Sequence, residues 1–123
     1  WYPLFIGLLK TSSPQNESSR TRDMQSVTEF QAKVDETSEP PAGLDPCLRA
    51  LWLGRRGEWD ASHDLVNDID TPLGSWIHAW LHRVEGDLSN ARYWYRLAER
   101  PAADGELEAE WRELAEVALA TNS

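Results

Sequence analysis

Beyond residue 44, large apolar side chains recur at spacings of three and four, the period of a helix with one buried face. The first such run opens at Asp45-Pro46, a capping residue followed by proline in the first turn. It carries Leu48, Leu51 and Trp52 to about Arg56, where Gly57 stops it. A second run over residues 59–69 places Leu65, Val66 and Ile69 on its apolar side. Asp70-Thr71-Pro72 repeats the stop-and-start signal, with Asp or Thr as cap. Residues 72–85 follow with Leu73, Trp76, Ile77, Trp80, Leu81 and Val84, a stripe wide enough to meet helices on two sides. Past Gly86, Asp87 or Ser89 opens a fourth helix through Ala91, Trp94, Tyr95, Leu97 and Ala98, which Pro101 terminates. Asp104 is the expected cap of a last helix bearing Leu107, Trp111, Leu114 and Ala118. Alternation of apolar and polar residues never persists without a competing helical period, so no strand is expected.

The chain before Leu44 reads differently. Residues 11–43 are rich in Ser, Thr, Glu, Gln and Pro, with a short helix expected over 24–36 from Val27, Phe30 and Val34. The segment 36–43, with Pro40, Pro41 and Gly43, breaks regular structure and reads as a linker. The expected organisation is an N-terminal extension and Pro-rich linker over 1–43, largely flexible, and a helical domain over 44–123. The apolar opening of residues 1–10 is far too short to cross a bilayer. The only methionine is Met24, and the expectation is that translation starts there, with 1–23 an over-extended gene model or a fragment boundary. Asn16-Glu17-Ser18 is a glycosylation sequon with meaning only in a secreted chain.

Composition narrows the function classes. With 123 residues there is room for one domain and a tail. The formal net charge is -9, from 21 acidic against 12 basic residues. The basic residues form only short clusters such as Arg55-Arg56, so neither a nucleic-acid backbone nor an anionic membrane surface is an expected partner. A single cysteine, Cys47, excludes an intramolecular disulfide and a cysteine-based zinc cluster, and fits a reducing, cytoplasmic setting. No phosphate loop, nucleophile elbow, dinucleotide fingerprint or His-Glu-x-x-His signature is present.

Two stretches repeat each other. Residues 50–61, with Ala50, Gly57 and Ala61, parallel residues 79–91, with Ala79, Gly86 and Ala91, at a period of 29 to 30. The segment Gly86-Asp87-Leu88-Ser89-Asn90-Ala91-Arg92-Tyr93-Trp94-Tyr95-Arg96-Leu97-Ala98 resembles the second half of a tetratricopeptide or Sel1 repeat. The resemblance covers about residues 48–101 and departs from those families in two places. The first unit has its alanine one residue early, and His78-Ala79 stands where a Leu-Gly pair is usual. It implies an all-α fold of antiparallel helix pairs, with the helix around Trp111 as a C-terminal cap. Residues 75–98 also resemble a short microbial and fungal family with a His-Ala-aromatic-Leu-His-Arg segment, a likeness that implies no mechanism.

The chemistry-bearing residues are the three histidines. His78 and His82 are four apart on one predicted helix and so share a face. If the preceding helix pairs antiparallel about the 70–73 turn, His63 comes level with them. Three imidazoles are a sufficient protein donor set for zinc, iron or another divalent ion, with Asp60, Asp64, Asn67 or Glu85 close enough in sequence to complete or orient it. The competing expectation is that histidines in helical repeats bond a carbonyl or stack on an aromatic. Surplus aromatics suggest a groove of Trp76, Trp80, Tyr93, Trp94 and Glu85, although tryptophans on apolar stripes are mostly core. Tyr93, Trp94 and Tyr95 are consecutive and cannot all face inward. Sequence therefore ranks a non-enzymatic module binding a protein or peptide first. A small metal-binding protein or metal-dependent enzyme, with one divalent ion where the first reading has no cofactor, ranks second. Homo-oligomerisation through apolar ends stays open.

Overall fold

The computed structural model describes residues 26–122, which form six α-helices and no strand among the described residues. They are α1 (Val27–Glu36), α2 (Pro46–Arg55), α3 (Trp59–Val66), α4 (Pro72–Glu85), α5 (Leu88–Leu97) and α6 (Leu107–Asn122). The expectations on the translation start, the apolar opening and the sequon concern residues outside the described ones. No helix among the described residues is long and apolar enough to cross a membrane.

Four of the six helices start where a short polar side chain takes up a free amide. Ser26 accepts from the Glu29 amide, Asp45 from those of Cys47 and Leu48, Thr71 from Gly74 and Asp87 from Asn90. Pro46 and Pro72 occupy the first turns of α2 and α4, where the missing N–H has no intrahelical partner to lose. Three helices end in the same two-bond motif. The amide pairs of Gly57 and Glu58, of Gly86 and Asp87, and of Glu99 and Arg100 fold back on the carbonyls of the last turn. The turning residue has positive φ each time: Gly57 at 85°, Gly86 at 89°, and Glu99, which carries a side chain, at 61°.

The helices pack as antiparallel pairs, α2 with α3 and α4 with α5, and α6 lies across α2 and α4. The core is built from Leu51, Trp52, Ile77, Leu81, Trp111 and Leu114, all essentially without exposure. Close approach of α2 to α4 depends on Gly54, where a Cβ would come within 2.9 Å of the Trp80 ring. Helix α1 lies before the expected domain start at Leu44, yet packs on α6 with Phe30 and Val34 fully buried. Two apolar residues on one face were enough, because α6 offers them Trp111 to pack on.

The small residues at the pair crossings fall five positions after each turn glycine. In the second pair this is Ala91, and in the first it is Ser62, whose hydroxyl donates to the Ala50 carbonyl at 2.6 Å. Ala61 is exposed, so the alanine read as one residue early is not the counterpart of Ala91. Three helix ends differ from expectation, the first being the start of α1 at Val27 rather than at 24. Helix α3 stops at Val66, and the chain turns so that Ile69 packs on Gly74 at the start of α4. Helix α6 begins at Leu107 rather than after Asp104, because the Gly105 carbonyl is taken by Arg83 and the Leu107 carbonyl by the Trp80 indole. The first turn is closed instead by the Glu110 amide on the Glu106 carbonyl.

Candidate metal centre

His78 and His82 project from one face of α4, as their spacing of four requires, and His63 meets them from α3. A ligand nitrogen from each ring lies within 4.8 Å of those of the other two. His63 and His78 face each other through their Nε2 atoms at 3.0 Å. The three rings form one packed group, with centroid separations of 4.6 Å for His63–His78, 5.0 Å for His78–His82 and 5.4 Å for His63–His82. His78 and His82 are buried, and His63 is half-buried.

Two tryptophans wall this group. Trp94 of α5 stacks on His78 with centroids 3.7 Å apart, and Trp59 stacks on His63 at 4.8 Å while donating its indole N–H to the Leu81 carbonyl. Trp59 and His63 are four apart on α3, a same-face spacing that sequence could have used. The Trp94 contact joins separate helices and left no local signal. Trp76 and Trp80, two of the expected groove residues, are both buried in the core. Trp76 donates to Glu110, and Trp80 to the Leu107 carbonyl. Tyr93 is half exposed and packs edge-on against Trp94. Of the five groove residues, Trp94 and Glu85 touch the histidine group, Glu85 through a 2.7 Å bond from His82 Nδ1.

Asp60, Asp64 and Asn67 are exposed, and none joins the donor set. A second set, His82, Glu85 and Asp87, shares His82 at the end of α4. A separate cleft of about 330 Å³ is lined by Asp35, Gly54, Arg55, Trp80, Val84, Leu107, Glu108 and Trp111, with no histidine on it. Its Arg55 is already paired with Asp35 and Glu108. Cys47 is buried, and burial followed by the nearby Asp45 charge pushes its thiol up to about 11. A thiol so rarely ionised at neutral pH is a packing group, not a nucleophile.

His78 is the electrostatic centre of the cluster. Burial first, then the proximity of His63 and His82, lowers it from the ordinary 6.5 to about 4. In the metal-free protein the unfolded chain therefore takes up this proton at a higher pH than the folded one. The contribution is complete above about pH 6.5 and is lost as pH falls through 4, amounting to about 3 kcal/mol at most. Urea unfolding with chelator present at pH 7 and pH 4.5 should show that loss, and His78→Gln should flatten the difference. Equal pH slopes in parent and variant would rule this out.

These features define a class: an all-α protein of packed helix pairs with a three-histidine group between α3, α4 and α5. Comparison of the chain with protein families, with curated proteins and with solved structures found no match.

Proposed function

We propose that the chain binds one divalent transition-metal ion through His63, His78 and His82, ahead of the interaction module that sequence ranks first. The observation that carries this reading is the head-on approach of the His63 and His78 Nε2 atoms at 3.0 Å beside a third imidazole. For Zn–N bonds of 2.0–2.1 Å, a tetrahedral edge is about 3.3 Å, close to that separation. All-imidazole donors favour zinc, copper, nickel or iron over magnesium or calcium. Three protein ligands leave a further position for water or a small Lewis base, as in catalytic rather than closed structural sites.

The second reading, a protein- or peptide-binding module, draws on Tyr93 and Leu97, four apart on α5 and each 48% exposed. Shared descent with tetratricopeptide or Sel1 repeats belongs with that reading. It draws on the matched positions Ala50 and Ala79, Gly57 and Gly86, Ser62 and Ala91 in the two helix pairs. A reducing, cytoplasmic setting suits both, because a single cysteine can form no intramolecular disulfide.

Elemental analysis of the purified full chain decides between the two. The expected result is close to one transition-metal ion per chain, and none in His78→Ala/His82→Ala. His63→Ala, at a half-buried position, should lose the ion while keeping its helical circular dichroism. Zinc at about 100 times its dissociation constant should stabilise the parent by about 2.7 kcal/mol. No metal in the parent under zinc-replete conditions would leave the interaction module as the answer.

A further inference from the structure

We infer that Glu85 is the positioning residue of this centre, holding His82 in the tautomer that presents Nε2 to the ion; the inference rests on the three-histidine reading. His82 Nδ1 lies 2.7 Å from Glu85 Oε2. A carboxylate accepts and does not donate, so the proton on that bond belongs to Nδ1 and the free lone pair of the ring is on Nε2. The imidazole is buried, with 6% of its side chain exposed, while the carboxylate is 38% exposed. Glu85 thus stands at the solvent edge of the centre, and the ring it holds lies inside.

The backbone fixes this arrangement. Glu85 ends α4, immediately before Gly86, where the amides of Gly86 and Asp87 return to the carbonyls of Arg83 and His82. Two bonds and a left-handed glycine therefore define where the carboxylate starts. Among the described residues neither of the other two imidazoles is held by a carboxylate. His78 Nδ1 has no partner, and His63 is held by stacking on Trp59. One carboxylate behind one ligand also places negative charge beside a centre whose three neutral imidazoles bring none. Carboxylates behind ligating histidines raise ligand basicity and fix ring orientation, and their loss weakens metal affinity by about 10- to 100-fold.

The test uses Zn²⁺ with the full chain, Glu85→Gln and Glu85→Ala. Long-range ¹H–¹⁵N spectra of the metal-free parent should show His82 protonated on Nδ1, and Glu85→Ala should lose that preference. Competition titration should rank zinc affinity as parent, then Glu85→Gln, then Glu85→Ala, with the last about 10- to 100-fold weaker. Gln keeps an acceptor for Nδ1 and loses only the charge, so its intermediate rank separates positioning from folding. An Nε2–H tautomer in the parent, or equal zinc affinity in all three chains, overturns the inference and leaves the three-histidine site standing. Zinc bound by His63→Ala but not by Glu85→Gln overturns it as well, because the ion would then sit on His82, Glu85 and Asp87. A parent that binds no zinc removes the site itself, whatever the tautomer.

Discussion

Glu110→Ala should cost about 3–5 kcal/mol of stability, because it removes the acceptor for two buried donors and the carboxylate partner of the partly buried Arg83 guanidinium. Glu110 is 5% exposed on α6. It accepts the Trp76 indole N–H at 2.9 Å, an Arg83 guanidinium N–H at 2.6 Å and the Tyr95 hydroxyl. Those donors come from α4 and α5, so one carboxylate joins α6 to the second helix pair. Burial, then the carboxylate, drives the Tyr95 phenol far above its usual range, and it stays a donor at any ordinary pH. Glu110→Gln keeps acceptor capacity and loses the charge facing Arg83, so its cost should be smaller, about 1–3 kcal/mol. Urea unfolding followed by circular dichroism would read the order parent, Gln, Ala. An Ala variant within about 1 kcal/mol of the parent would show that the network adds nothing net.

Trp111→Ala should cost a similar amount, about 3–5 kcal/mol, and should in addition release α1. The Trp111 ring is 1% exposed and stacks on Phe30 with centroids 5.7 Å apart and planes 6° apart. Its indole donates to the Leu51 carbonyl at 2.9 Å, and the Arg55 guanidinium lies over its face at 4.6 Å. Helix α1 has only Phe30 and Val34 fully buried, and its contacts run chiefly to α6. Hydrogen exchange in residues 27–36 should therefore accelerate more in Trp111→Ala than exchange in α4. Unchanged protection of α1 would mean that Val34, the bond between Arg112 and Gln31, and the contacts of Arg55 with Asp35 and of Arg56 with the Val34 carbonyl hold it without the ring stack.

The two networks place the histidine group within a stiff frame. The face of α4 that carries His78 and His82 is backed by Trp76, Ile77 and Leu81 in the core, and its far end is held by Arg83 on Glu110. Metal sites on helices so fixed keep their donor geometry better than sites on loops.

The sequence by itself determined the helical class, the cap Asp45, the glycine turns at 57 and 86, and the shared face of His78 and His82, and it narrowed two further caps to Asp70 or Thr71 and to Asp87 or Ser89. Those depend on interactions within a turn or two, where spacing dictates geometry. Glu110 was half legible: it stands four before Leu114 and next to Trp111, an acid in an apolar stripe that demands partners, though nothing local names them. Only the tertiary structure decided which donors meet that acid, where α6 starts, that α1 belongs to the core, and that Trp94 rather than Trp76 or Trp80 covers His78. Each of these is settled by contacts between helices distant in sequence. There the competition among side chains for buried space and buried partners outweighs any local preference.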